Sequence, residues 1–205
     1  MKEYLFIDGI RVKNALPLRS LFYGEGLFET FRYKERLPVL LEKHFERMER
    51  GASLLKIPFP DREYIIELIR KSISESEISD AYIKICLLSQ GKSSFYETAN
   101  VSQLLVIVKE YVASAESLKL KVNSFRRISD SPLVKIKSTN YLEGVLARRA
   151  ALASGFDEAL FLNEKGEVAE CSASNIFWFS EGILFAPSED SGLLNGTTKA
   201  LVLQF

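Results

Sequence analysis

Apolar positions along this chain recur at two periods, and each change of period marks a change of element. "EYLFIDG" (3–9) and "GLFETFRYKE" (26–35) are rich in aromatic and aliphatic residues and bounded by glycine or charge, which predicts strands. From Leu40 the spacing lengthens. Leu41, Phe45, Met48, Ala52 and Leu55 recur every three or four residues, the stripe of an amphipathic helix. "PFPD" (58–61) ends it, and Asp61 stands where it can cap a second helix carrying Tyr64, Ile65, Leu68 and Ile69. Strand patterns return in "AYIKICLLS" (81–89) and "SQLLVIVKEYV" (102–112), separated by the polar loop "QGKSSFYETANV".

A soft boundary falls at "ASAES" (113–117), after which "LKLKVNSF" alternates with period two. In "SPLVKIKSTNYLEG" (131–144), Lys135 and Lys137 alternate with Val134 and Ile136, which as a strand puts both ammonium groups on one face. A helix is predicted from about Asn140 to Ser154, opened by a capping-box pair, Asn140 and Glu143, and stopped by Gly155. Two hairpins follow, "DEALFLNEKGEVAE" turning at Lys165-Gly166 and "NIFWFSEGILFAP" turning at Glu181-Gly182. A last helix begins near Gly196. Helices and strands mix without regular βαβ alternation, so the expected class is α+β in two domains, 1–115 and 116–205.

Composition removes function classes more than it adds them. Lysine plus arginine equals aspartate plus glutamate at 27 each, so bulk charge points to neither nucleic acid nor a membrane surface. No run approaches the roughly 18 apolar residues of a membrane span. The N-terminal "MKEYLFIDG" does not read as a signal peptide. The 2 cysteines, Cys86 and Cys171, form no CxxC pair, which argues against a disulfide framework or zinc site and suits a reducing cytoplasm. With 1 histidine, His44, a histidine-rich metal site is impossible, and no metal is expected. Enzymatic work would fall to a lysine, a carboxylate or a cofactor.

Each chemical signal, taken singly, has a bland reading. "YGEGLFETFR" (23–32) lacks the third glycine of a dinucleotide fingerprint and continues as a strand, so it reads as a glycine turn. His44 and Arg47 share one side of a helix; Arg47 could be solvated, or its planar fork could hold a phosphate. "NGTT" (195–198) can present amides to an anion, as many helix starts can. Glu170 reads as a strand-end carboxylate, and Lys135 and Lys137 as edge-strand charges.

The combination says more. In order, "GEGLFETFR", "HFER", "KSTNYLEG", "GEVAECSASNIFW" and "LLNGTTK" resemble the fold-type IV pyridoxal-phosphate enzymes, from about residue 4 to the chain end. That family includes branched-chain and D-amino-acid aminotransferases and 4-amino-4-deoxychorismate lyases. The resemblance implies pyridoxal 5'-phosphate as cofactor, with Lys137 rather than Lys135 as the lysine that joins it. The helix start that follows disfavours the ammonium form of Lys137. It further implies Arg47, Gly196, Thr197 and Thr198 at the phosphate, Leu194 on the ring face and Glu170 at the pyridine nitrogen. Phe28 and Arg32 would line the substrate side. Residues 1–115 then form the smaller domain and 116–205 the larger, cofactor-binding one, short of the family's usual length.

The implied activity is a homodimeric enzyme acting on a small amino substrate. The wording of "VAECSASNIFW" and "GLFETFR" lies nearest the lyases, which give 4-aminobenzoate and pyruvate in folate synthesis. Aminotransferases of the family often carry an arginine-glycine after the strand at 81–89, where this chain has Gln90. Branched-chain or D-amino-acid transamination is the alternative, and a truncated, non-catalytic remnant is the rival from another class.

Overall fold

The computed structural model describes residues 6–11, 16–92, 94–113 and 115–204. The chain divides into two compact units, Met1–Tyr111 and Val112–Phe205.

The first unit opens on a short hairpin, β1 (Phe6–Ile7) and β2 (Ile10–Arg11), joined by Asp8 and Gly9, both at positive φ. Of the predicted 3–9 strand, residues 3–5 lie outside the described residues, Phe6–Ile7 is strand, and Asp8-Gly9 turns the chain. The one-and-a-half-turn helix α1 (Leu18–Tyr23) stops at Gly24, which adopts the left-handed conformation at φ 62°. The glycine of "YGEGLF" is therefore a helix stop leading into β3 (Gly26–Lys34).

Helix α2 (Leu41–Leu55) buries Leu41, Phe45, Met48 and Ala52 of the predicted stripe, while Leu55 is half-buried. Helix α3 (Arg62–Ser76) starts as expected at Asp61, whose carboxylate accepts from the N–H groups of Glu63 and Tyr64. Ile65 and Ile69 are buried, but Tyr64 is exposed, so its apolar face is narrower than read. Strand β4 (Asp80–Gln90) is the centre of an antiparallel sheet between β3 and β5 (Val101–Glu110). Its central position leaves none of its residues exposed and buries Ile83, Ile85, Cys86 and Leu87, while the edge strand β5 alternates between exposed and half-buried positions. Gly51 brings α2 onto β3, since a Cβ there would lie 2.7 Å from Leu27 Cδ2.

The second unit is a three-stranded sheet covered by one helix. β6 (Leu120–Val122) runs parallel to β7 (Glu158–Leu162), whose other neighbour is antiparallel β8 (Val168–Cys171). β6 is shorter than the alternation of 118–125 predicts. Between β6 and β7 lies α4 (Leu142–Leu152), packed on β7. The core between them is built of small residues, Ala147, Ala151, Ala159 and Ala169, around Phe161. Alanines let the helix approach the sheet closely, and Gly144 extends that approach to the strand end: a Cβ there would lie 3.0 Å from the carbonyl oxygen of Ser172.

Two local expectations in this unit fail. "PLVKIK" is not a continuous strand, because Ser131 caps a 3₁₀ turn at Pro132–Lys135 by accepting from the Leu133 N–H. Proline at the first position suits such a turn and cannot donate to a sheet ladder. Lys135 thus ends the turn exposed, while Lys137 is half-buried in the extended chain beyond it. The helix also starts one residue later than the Asn140–Glu143 capping box predicts. Tyr141 is the cap residue, without a side-chain bond, and Glu143 turns toward Arg127.

The hairpins form where read. Asn163 accepts from the N–H groups of Lys165 and Glu167 in the first turn. β9 (Trp178–Ser180) and β10 (Ile183–Phe185) pair across Glu181 and Gly182, both at positive φ. Helix α5 (Thr197–Val202) begins after Gly196, as predicted. Among the described residues no helix is long and apolar enough to cross a membrane.

Gly192 positions the segment that leads to Leu194. Its φ is +84°, and a Cβ would lie 2.6 Å from Ser129 Cα. Gly192→Ala is expected to destabilise the chain by roughly 2–4 kcal/mol, combining left-handed strain with overpacking against backbone. Urea unfolding of the variant measures it, and a loss below about 0.5 kcal/mol would mean the two segments do not pack this closely.

Candidate active site

In the first unit, Arg47 is held by a buried carboxylate. Glu29 on β3 has no exposed surface, and Arg47 and His44 on α2 face it from successive turns. Arg47 Nε donates to Oε1 at 2.7 Å and a terminal nitrogen to Oε2 at 2.5 Å, while His44 Nδ1 lies 2.7 Å from Oε2. Burial alone would lift Glu29, but hydrogen bonds from Arg47 and His44 outweigh it and hold its carboxyl below the ordinary value. Arg47 is thus pre-oriented by a carboxylate that sequence reasoning passed over inside "GLFETFR". The signal available was an acidic residue at an inward-facing strand position.

Phe28 lies on the other face of β3, buried, with the Lys84 ammonium 4.2 Å from its ring centroid. Arg32 is exposed and committed to neighbours. Its guanidinium donates to both oxygens of Asp80, at 2.7 and 2.5 Å, and its centre lies 3.9 Å from the Tyr111 ring centroid.

In the second unit a cavity of about 270 Å³ opens among Arg127, Ile136, Ser138, Tyr141, Glu170 and Leu194. Its size is near the lower end of small-molecule sites, about 300–1,000 Å³. Ile136 and Ser138 face it, and Lys137 between them meets its wall through Tyr141, whose hydroxyl lies 3.2 Å from Nζ. Glu170, at the end of β8, accepts from Arg127 through Oε1, and from Leu194 N–H (3.1 Å) and Asn175 Nδ2 (3.4 Å) through Oε2. Burial pushes its pKa up to about 7, although Arg127, the Leu194 N–H and Lys137 all pull it down.

Asn175 also donates to the Leu194 carbonyl at 2.9 Å, so one side chain fixes the backbone on which Leu194 is carried. It presses on Gly196, where a Cβ would fall 1.9 Å from its Oδ1. No side chain fits at that position. Thr197 is half-buried and Thr198 exposed on the first turn of α5, and neither lines the cavity. Lys199, the next residue, is buried and its pKa is lowered by burial, against the pull of Glu189 and Glu170. Cys171 is lifted to about 11 by burial and the nearby Glu158 and Glu170, so it stays a thiol.

Lys137, Glu170, Leu194 and Gly196 are therefore gathered in one region of the second unit, while Arg47, Phe28 and Arg32 belong to the first. Sequence reading missed Arg127, Tyr141 and Asn175 as site residues. Tyr141 and Asn175 sit inside quoted motifs, but "NSFRRISD" around Arg127 has no periodic or motif signal.

Residues 26–205 match the family described as amino-transferase class IV. The chain belongs to this family. Class IV amino-transferases are pyridoxal-phosphate-dependent enzymes of fold type IV, and the α+β architecture described above is that fold. The chain is 34% identical over 194 residues to an aminodeoxychorismate lyase of Bacillus subtilis, covering 90% of this chain and 66% of the relative. A Legionella pneumophila structure, provisionally assigned as 4-amino-4-deoxychorismate lyase, superposes with a TM-score of 0.86 at 33% identity, over 90% of this chain and 70% of that one. A branched-chain aminotransferase of T.th., complexed with N-(5'-phosphopyridoxyl)-L-glutamate, gives a TM-score of 0.82 at 28% identity, over 98% of this chain and 72% of that one. The chain thus spans about two thirds of the length of these class IV relatives.

Glu29 supplies a measurable test of the Arg47 cradle. Glu29→Gln leaves a buried guanidinium without its counter-ion, expected to cost roughly 3–5 kcal/mol at pH 7. Because the folded pKa is depressed, the ionic contribution is present above the unfolded value near 4.5 and is lost as pH falls through the lower folded value. Urea unfolding at pH 7 and pH 3 should show the wild-type advantage shrinking at the lower pH. An advantage independent of pH would remove the carboxylate's charge from the explanation.

Proposed function

We propose that the chain carries the pyridoxal-phosphate site of a 4-amino-4-deoxychorismate lyase, working as a homodimer and releasing 4-aminobenzoate and pyruvate. The observation that carries this reading is Glu170: a buried carboxylate on a cavity wall, bonded to the Leu194 N–H, in the region reached by the Lys137 amine. The donor set fits the group. A carboxylate suits a protonated ring nitrogen, an apolar leucine suits a ring face, and a primary amine suits an aldehyde carbon.

In this reading Glu170 keeps the ring nitrogen protonated and Leu194 packs against the ring. By family resemblance Arg47 in the first unit, and Gly196, Thr197 and Thr198 in the second, are the residues that would each bind the phosphate. When bound, pyridoxal phosphate supplies the sink for the electron pair left as a proton departs from the substrate α-carbon. Lys137 takes that proton, and the Tyr141 hydroxyl 3.2 Å from Nζ steadies the amine. By the same resemblance Phe28 and Arg32 are the residues of the first unit that would serve the substrate, and Arg32 would first have to exchange its Asp80 partner.

Support for the lyase comes from the B. subtilis relative and from Gln90, which reaches Gln103 Oε1 at 3.2 Å and carries no positive charge for an amino acid's carboxylate. The T.th. aminotransferase keeps transamination of branched-chain amino acids as the second reading, beside the D-amino-acid activity that the family resemblance alone suggests.

Borohydride reduction of the chain loaded with pyridoxal phosphate, followed by peptide mapping, is expected to label Lys137. Lys137→Ala should lose the label and Lys135→Ala keep it. Label on Lys135, or on the buried Lys199, would overturn the assignment, and no uptake of pyridoxal phosphate would support a non-catalytic remnant. Given 4-amino-4-deoxychorismate, the protein should release 4-aminobenzoate. Amino-group exchange between an amino acid and a 2-oxo acid, without that release, would favour the aminotransferase.

A further inference from the structure

Arg127 is built into the second unit more firmly than any sequence pattern around it suggests. Its N–H donates to the Leu162 carbonyl at 3.0 Å, and it bridges to Asn163 beyond the end of β7. The side chain is 12% exposed, and its guanidinium centre lies 4.3 Å from the centroid of fully buried Phe161. One terminal nitrogen donates to Oε1 of Glu170, and the other lies 3.5 Å from Oε2 of Glu143. Its Nε is buried without a hydrogen-bond partner among the described residues. A part-buried guanidinium with an orphaned Nε–H is not a packing optimum, which fits a group placed for the charge it delivers.

We infer that Arg127 is the positioning residue of Glu170, fixing the plane of its carboxylate and supplying the counter-charge that favours its anionic form at the cavity wall. Geometry carries this directly. Oε1 is taken by Arg127, and Oε2 by the Leu194 N–H and Asn175, so the carboxylate is pinned at both ends. Arginine suits the task better than lysine, because its flat face stacks on Phe161 while its edge meets two carboxylates.

Electrostatics point the same way. The groups facing Glu170 are Arg127 from the loop after β6, Lys137 from the extended segment, the Leu194 N–H, Asn175, Lys199 on α5 and the Cys171 thiol beside it on β8. Burial is the largest influence and lifts Glu170 to about 7 against all of its positive partners. Removing Arg127 removes a downward pull, so Glu170 would rise further and be protonated at neutral pH. Opposite charges at this range typically move a carboxyl by about 1–3 units.

The inference rests on the reading that Glu170 pairs with the ring nitrogen of pyridoxal phosphate, and the test separates the two. Carboxyl-¹³C glutamate NMR, with Glu170→Gln used to assign the resonance, follows the titration of Glu170 in the wild type and in Arg127→Met without any cofactor. A raised titration midpoint in the variant is expected, and an unchanged midpoint would overturn the inference. Pyridoxal phosphate affinity, measured from pH 6 to 10, should fall about tenfold or more at pH 7.5 in Arg127→Met and recover at higher pH. A loss equal at every pH would make Arg127 a merely structural residue. If Arg127→Met does not fold, Arg127→Lys is read the same way, with a smaller shift in the same direction. If the wild type binds no pyridoxal phosphate, the functional reading fails while the NMR titration still decides the role of Arg127.

Discussion

The second unit depends on the placement of one carboxylate. Glu170 ends β8, and three parts of the chain meet on its two oxygens: Arg127 before the 3₁₀ turn, Asn175 after the strand, and the backbone of Leu194. Separately these are loops, and loops order only when their ends are tied. Asn175 extends the tie by bonding the Leu194 carbonyl and by occupying the space a side chain at 196 would need. The route into α5 is therefore fixed by the Leu194 N–H and Asn175 bonds to Glu170 together with the Asn175 bond to the Leu194 carbonyl, and losing the carboxylate would remove the first two along with the charge.

The sheet beneath explains how a carboxylate comes to be buried there. Alanines at 147, 151, 159 and 169 let α4 lie close on β7, and Gly144 lets its first turn reach the backbone at Ser172. That closeness encloses the end of β8, and enclosure is what drives the Glu170 pKa upward. Larger core residues would have held the helix away and let water reach the carboxylate. The small-residue core and the perturbed group are consequences of one packing choice.

Elements with strong periodicity were legible from sequence alone. The stripe of α2, the Asp61 cap, the Glu181-Gly182 turn and the helix start at Gly196 are all set by local chemistry, and each appears as read. The strand assigned to "PLVKIK" failed because a proline and a serine cap outweighed an apparent alternation over a few residues. The start of α4 shifted from Asn140 to Tyr141, and Glu143 lies toward the part-buried Arg127, a tertiary partner that no local pattern reports. Arg127, Glu29 and Asn175 were illegible for the same reason. Their importance lies in partners 15 or more residues away in the cases of Glu29 with His44 and of Arg127 with Glu170, and no spacing rule reports such pairings.

The two buried carboxylates differ in a way that separates support from chemistry. Glu29 meets a guanidinium edge-on through both oxygens, has an imidazole besides, and titrates below its ordinary value. It is electrostatically satisfied, so its role is to hold Arg47 still. Glu170 meets its arginine through one oxygen, shares that arginine with Glu143, and titrates well above its ordinary value. Its negative charge is under-compensated by the protein. A further positive partner arriving in the cavity would supply the missing compensation, and the gain would be larger for having been left unmet. A protonated ring nitrogen is such a partner, whereas at Glu29 it would find a site already neutralised.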